Sequence, residues 1–200
     1  MPAVARGGAA VLPREFYARD AREVAPQLLN KLLVLGDRVA RIVEVEAYCG
    51  ADDPGSHAYR GRTPRNATMF GPPGRLYVYF TYGMHFCANV VCGEEGTATA
   101  ALLRGLDVVG GLDEMRAAYP AVRTDRDLCR GPARLCRAFS IDRSFDGADL
   151  VTGDRGVVVA DDGTPPPAPP GISTRIGLTT GADLPWRFTV PGALGLSRRG

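Results

Sequence analysis

Two hundred residues are one domain's worth of chain, enough to bury a core. Hydrophobic content of 45% and charged content of 23% are those of an ordinary globular protein, and no run of eighteen apolar residues is present to cross a membrane as a helix. The net charge of +2 gives no overall pull toward nucleic acid, so any such partner must be read from where the charges lie.

The first dozen residues, MPAVARGGAAVL, lack the apolar stretch and cleavage pattern of a secretory signal. Residues 1–11 are therefore expected as a flexible N-terminal arm and 12–200 as one domain. Asp20 followed by Glu23 (DARE) has the form of a capping box. Leu28, Leu29 and Leu32 supply an apolar side, which predicts a helix from Ala21 to Lys31 that ends at LLVLG. VARIVEVEAY alternates as a strand, with Val43, Val45 and Ala47 on a core face and Ile42, Glu44, Glu46 and Tyr48 on the other. From Cys49 to Arg75 the chain is rich in Gly, Pro, Asp and Asn. A loop of that length in a compact domain is functional or disordered, and its arginines, His57, Tyr59, Met69 and Phe70 argue against disorder.

LYVYFTYGMHFCAN, residues 76–89, then predicts a hairpin. Tyr77, Tyr79 and Thr81 share one face, Leu76, Val78 and Phe80 the other, and Tyr82 falls at the turn, where small polar residues are usual. ATAALLRGL predicts a strand, VVGGLDEMRAAY a helix from about Gly111, and DRDLCRGPARLCRAFSID two short helices parted at Gly131-Pro132. DGTPPPAPPG is a proline-rich surface connection, and RIGLTTGADLPWRFTV a closing pair of strands. The elements do not alternate βαβ, so the predicted class is α+β.

The residues that could carry chemistry are few. Cys49, Cys87, Cys92, Cys129 and Cys136 form no C-x-x-C pair and no ligand spacing, which predicts buried, reduced cysteines in a cytosolic protein and no metal. No glycine-rich phosphate cradle lies between a strand and a helix, so no nucleotide cofactor is expected. Lys31 is the only lysine. From Pro54 to Arg104, Arg60, Arg62, Arg65, Arg75 and Arg104 outnumber Glu94 and Glu95; such a patch fits phosphate contact or an ordinary solvated face. Glu46, two residues from an aromatic on a non-core face, is a general base or a solvated glutamate on an edge strand. Glu44 shares that ambiguity. His57 and His85 lie in no metal or triad spacing. An aromatic at a hairpin tip beside an arginine-rich loop has one sharper use: wedges of this kind enter the minor groove and fill the gap left by a flipped base.

Taken together, VEVEAY, SHAYRGRTPRN, MFGPPGRLYVYFTYGMHFCANVV, ALLRGL, GPARLC, RIGL and PWRF closely resemble the alkyladenine (3-methyladenine/methylpurine) DNA glycosylases, from about Leu12 to Phe188. The resemblance implies a single mixed domain on a curved antiparallel sheet with a protruding, DNA-inserting hairpin. It implies a monomeric, cofactor-free base-excision repair enzyme acting on double-stranded DNA, in the cytoplasm at the nucleoid for a bacterial source. The substrates it implies are 3-methyladenine, 7-methylguanine, hypoxanthine and, in some members, ethenoadenine. By the same resemblance Glu46 is the general base, and Arg104 with the backbone at Ile176 helps place the attacking water. Tyr48 and His57 stack on one face of the flipped base and Tyr79 on the other, with His57 also bonding the purine edge. Asn89 hinders guanine through its 2-amino group. Tyr82 is the intercalating tip with Met84 beside it, and Arg62, Thr63 and Met69 lie near the DNA backbone or groove.

Two rivals are set against it. A non-catalytic nucleic-acid-binding domain would have no use for Glu46 and Arg104 together. A carbohydrate hydrolase would use Glu44 and Glu46 as its carboxylate pair. Strand cleavage by a lyase step needs an amine nucleophile. Lys31, far in sequence from every site residue, is a poor one, so hydrolysis alone is expected.

Overall fold

The computed structural model describes residues 8–197. The first seven residues of the expected arm lie outside them. The arm's last residues are not loose: Ala10–Val11 form a short strand, β1, and Ala9 and Val11 are buried. A one-turn helix, α1 (Arg14–Tyr17), precedes α2 (Ala21–Leu28), whose N-cap Asp20 accepts the Arg22 N–H. The helix stops at Leu28 rather than Lys31. Leu29 is extended, Asn30 has φ of 68°, and Leu32–Leu35, expected as a helix end, form strand β2. An apolar run of four fits a buried strand as well as a helix face, and pairing on both of its edges decides it.

The remaining strands are β3 (Arg38–Cys49), β4 (Leu76–Thr81), β5 (His85–Cys92), β6 (Thr99–Gly110), β7 (Val157–Asp161), β8 (Gly171–Ser173) and β9 (Arg187–Thr189). They form one antiparallel sheet in the order β1-β7-β2-β3-β6-β5-β4, with β9 on β3 and β8 on β9. The expected closing pair is therefore shorter than predicted: RIGL is loop, and β9 takes its partner from the end of the proline-rich connection. Helix α3 (Leu112–Ala118) begins after Gly111, whose φ of 70° breaks β6; the preceding Val108 to Gly110 belong to the strand. Helix α4 (Pro132–Phe139) follows Gly131 as expected, and the first of the two predicted short helices is a single 3-10 turn, Asp125–Asp127.

The bend of the sheet is centred on β3. Its first third pairs with β2, its middle with β9 on that same edge, and nearly its full length with β6 on the other. The ladder with β6 slips between Ile42 and Glu44 and again between Glu44 and Val45. Such irregularities sharpen twist and re-aim side chains. The slip moves Ile42 into the main core with Val45 and Ala47, against the simple alternation expected. Pairing on both edges makes β3 a central strand. Glu44 and Glu46 are fully buried, so neither is a solvated glutamate on an edge.

One sheet face packs on the helices through Val45, Ala47, Leu76, Val78, Ala88, Val90, Ala101 and Leu103, with Leu28 of α2 and Leu135 and Phe139 of α4 in the same core. The opposite face carries Tyr77 and Tyr79 and is covered by the loop after β3, through Ala58 and Met69. The period of two in β4, β5 and β6 thus sorts apolar residues to the helices and aromatic or polar ones to the loop side.

Candidate active site

Strand pairing places one row of residues across six strands on the loop-covered face: Ser173, Arg187, Glu46, Leu102, Asn89 and Tyr77. Directly paired residues point to the same face. A carboxylate, an arginine, an amide and a phenol are brought into line from segments far apart in the chain because the sheet register is shared.

Glu46 lies at the centre. Its Oε1 accepts the Ile176 N–H at 2.8 Å, and its Oε2 accepts the Tyr48 hydroxyl at 2.9 Å and Arg104 Nη1 at 3.4 Å. Burial pushes its pKa up; Arg104, the Ile176 N–H and the Tyr48 hydroxyl oppose that, and nearby Glu44 adds to it. The outcome is a carboxylate with weakened hydration and raised basicity, the condition a general base needs. The Tyr48 hydroxyl is held far above its ordinary pKa by burial and by Glu46, so it stays a donor.

Tyr48 is clamped from behind. The Arg175 guanidinium lies 4.6 Å from its ring centroid and 5.1 Å from that of Trp186, with Arg22 5.6 Å from Trp186. Arg175 is fixed by a two-pronged pair with Asp53 at 2.5 and 2.7 Å, and it also donates to the carbonyls of Ala47 and Gly181. Both side chains of that pair are fully buried.

Tyr48, Gly55, His57, Met69, Tyr77, Tyr79, Asn89 and Leu178 line a pocket one hydrogen bond from Glu46. The arrangement of its walls differs from the expected one. His57 and Tyr79 meet edge to face, 4.4 Å between centroids at 75°, too close for a third ring to enter between them. They form one wall together, with Tyr77 stacked on Tyr79 at 5.4 Å. His57 Nδ1 lies 3.2 Å from the Tyr77 hydroxyl, and burial together with Arg65 lowers the histidine pKa, which favours neutral imidazole. Asn89 is buried, and its Nδ2 donates to the Tyr77 carbonyl at 3.1 Å.

Met69, expected near the DNA backbone or groove, is 3% exposed and lines the pocket. Arg62 and Thr63 are exposed on the loop. Asn66 holds that loop: Nδ2 donates to the carbonyls of His57 and Gly61, and Oδ1 accepts the Thr63 N–H. Arg65 ties it to the hairpin through the Phe80 carbonyl at 3.2 Å. At the tip, Tyr82 is 83% exposed and Met84 68%. Tyr82 and Gly83 both have positive φ, as a type I′ turn demands. Tyr82 lies three residues beyond Tyr79, about 10 Å along a strand.

Sequence reasoning missed Asp53, Asn66, Leu102, Arg175 and Arg187. A signal existed for four of them: SHAYRGRTPRN, ALLRGL, RIGL and PWRF carry Asn66, Leu102, Arg175 and Arg187. Lys31 is 6% exposed and bound to Asp161 at 2.7 Å, on the β7 side of the sheet. The five cysteines are buried and unbonded to one another.

The family model of methylpurine-DNA glycosylase matches residues 15–194. A protein of Burkholderia lata named "Putative 3-methyladenine DNA glycosylase" is 60% identical over 184 residues, covering 92% of this chain and 89% of that relative. Proteins of the same name from Streptomyces avermitilis and Carboxydothermus hydrogenoformans are 48% and 46% identical. They cover 90% and 89% of this chain, and 87% and 94% of themselves. On both grounds, the chain belongs to the methylpurine-DNA glycosylase family.

Proposed function

We propose that the protein is a monofunctional DNA glycosylase of base-excision repair, hydrolysing the N-glycosidic bond of alkylated or deaminated purines flipped out of double-stranded DNA. The observation that carries this is Glu46: fully buried, raised in pKa, and one hydrogen bond from an aromatic pocket whose strand leads to an exposed aromatic tip. The flipped purine stacks between Tyr48 on one side and Tyr79 with His57 on the other. Electron-rich ring faces favour a cationic, alkylated purine. The C1′–N bond breaks with its electron pair leaving on the base, and the sugar develops oxocarbenium character. Glu46 takes a proton from the water that adds to C1′, while Arg104 and the Ile176 N–H fix the carboxylate's direction. A base alkylated at N3 or N7 leaves neutral and needs no acid. Tyr82 enters the duplex in place of the lost base, offsetting an unstacking cost of roughly a few kcal/mol. Arg62 and Thr63, exposed on the loop, and Met84, exposed at the tip, would meet the DNA backbone or groove.

A carbohydrate hydrolase built on Glu44 and Glu46 is disfavoured because Glu44 is fully engaged. Its oxygens accept from Arg187 Nε, Arg104 Nε and both the N–H and hydroxyl of Ser197. Lyase chemistry is disfavoured by the ion pair that occupies Lys31.

The test uses duplexes carrying hypoxanthine, 3-methyladenine or 7-methylguanine, with abasic sites revealed by alkali. Strand breaks appearing only after alkali are expected. Binding to these duplexes with no abasic product from any of them would leave the rival of a non-catalytic binder standing.

A further inference from the structure

Arg104 spans two carboxylates on one strand. Its Nη1 reaches Glu46 Oε2 at 3.4 Å, its Nε reaches Glu44 Oε1 at 3.3 Å, and its Nη2 reaches the Ser197 hydroxyl at 3.4 Å. That hydroxyl donates in turn to Glu44 Oε1 at 2.7 Å, and the Ser197 N–H donates to Glu44 Oε2. The segment carrying Ser197 is pressed onto the sheet. A Cβ on Gly105 would collide with the Gly195 carbonyl, and one on Gly195 with the Leu106 carbonyl. Gly195 N–H bonds Asp107, and Arg130 Nε bonds the Leu196 carbonyl at 2.7 Å.

We infer that Glu44 and Ser197 are positioning residues that aim the Arg104 guanidinium at Glu46, making residues 195–197 part of the active centre. The inference rests on Arg104 and Glu46 acting together on the attacking water. Glu44 is too fully bonded to meet a substrate. What it does is hold one edge of the guanidinium while the Ser197 hydroxyl holds another, so that Nη1 is left directed at Glu46. A guanidinium released from that corner would turn away, and misplacement of about 1 Å costs on the order of a hundredfold in rate.

The test is single-turnover excision of hypoxanthine from a duplex at saturating protein, followed across pH, with duplex affinity measured alongside. Ser197→Ala is expected to slow excision about tenfold without changing duplex affinity. It is also expected to move the acid limb of the pH profile upward, because Glu46 loses the cation that lowers its pKa. The groups facing Glu46 are Arg104 from β6, Tyr48 and Glu44 from β3, Arg187 from β9, and Arg175 and the Ile176 N–H from the segment between β8 and β9; among them Ser197 holds only Arg104 and Glu44. Ser197→Thr keeps the hydroxyl and is expected to keep both rate and limb. Gly195→Ala, whose Cβ would press on the Leu106 carbonyl and on Asp107 and so lift the segment while keeping the Ser197 hydroxyl, is expected to reproduce the Ser197→Ala limb shift. A Ser197→Ala protein with the wild-type rate and limb overturns the inference. So does a slower rate that follows a fall in Tm while the limb stays in place. A wild-type protein inactive on every damaged purine removes the glycosylase itself, a different failure from an active wild type that Ser197→Ala leaves unchanged.

Discussion

Glu46→Gln separates the charge of the proposed base from its shape. The glutamine carbonyl can still accept the Ile176 N–H that Oε1 accepts at 2.8 Å. Its amide nitrogen replaces Oε2 and faces two donors, the Tyr48 hydroxyl and Arg104 Nη1. Arg104 does not become an uncompensated buried charge, because Glu44 remains 3.3 Å from its Nε. The usual cost of about 3–5 kcal/mol for breaking a buried pair is therefore not expected. The pKa of Glu46 gives the sign of the remaining effect. It is raised in the folded state, chiefly by burial. The native protein thus binds that proton more tightly than the unfolded chain, and the stabilisation is present at low pH and lost as pH rises through the folded pKa. Above that value the ionised carboxylate is a burden that glutamine does not carry.

Two outcomes follow for Glu46→Gln. Excision falls by about two to four orders of magnitude, the contribution of a positioned general base. The stability difference between variant and wild type moves in the variant's favour from pH 4, below the ordinary glutamate pKa, to pH 8, by up to about 1.4 kcal/mol for each pKa unit of elevation. Single-turnover excision on a 3-methyladenine duplex and thermal melts at the two pH values measure them. A variant within tenfold of the wild-type rate would refute Glu46 as the base. A Tm difference that moves the other way with pH would refute the raised pKa.

Tyr82→Gly removes the aromatic from a left-handed position, φ of 50°, where a side chain costs about 1–2 kcal/mol. Thermal stability is expected to hold or rise while excision from well-paired lesions slows, and an unchanged excision rate would exclude the wedge. Asn89→Ala removes the bond to the Tyr77 carbonyl at about 1 kcal/mol of stability and is expected to increase release of undamaged guanine, read as alkali-labile sites in unmodified duplex. Borohydride added during excision is expected to trap no covalent adduct; an adduct that disappears in Lys31→Arg would identify the one lysine as a lyase nucleophile.

The long strands were legible because their period persists over most of their length, broken in β3 where the ladder slips. VARIVEVEAY, LYVYFTYGMHFCAN and ATAALLRGL each show one face to the helices and one to the site. The short apolar runs were not. LLVL reads as a helix end and VVVAD as no element, since LLVL and VVVA are apolar at every step and show no period. In the site, Glu46 and Tyr48 share a strand and could be paired on sight. Asp53 and Arg175 are 122 residues apart, and nothing local marks either as buried. Met69 shows the same limit from the other side: a loop has no periodicity to say which residue turns inward. The wall to which His57 belongs could be assigned only from its contact with Tyr79.

Glu44 and Glu46 show how two like residues on one strand reach different ends. Both are fully buried, so each loses the same hydration. Glu44 regains it from two arginines, a hydroxyl and a backbone N–H. Glu46 is given a backbone N–H, a phenol and the far corner of one shared guanidinium, and its pKa rises. The difference lies in the number of donors and how close they come. A carboxylate saturated with short, charged donors is an anchor and a poor base. One left under-supplied in a dry place is reactive. Arginine, rather than lysine, makes that division possible here, because a planar fork can satisfy one carboxylate with one edge while presenting another to its neighbour. Sharing the cation between the two therefore sets both the rigidity of the site and the basicity of its centre. Replacing Arg104 by lysine, a point charge able to sit on only one of them, is expected to leave Glu44 paired and Glu46 inactive.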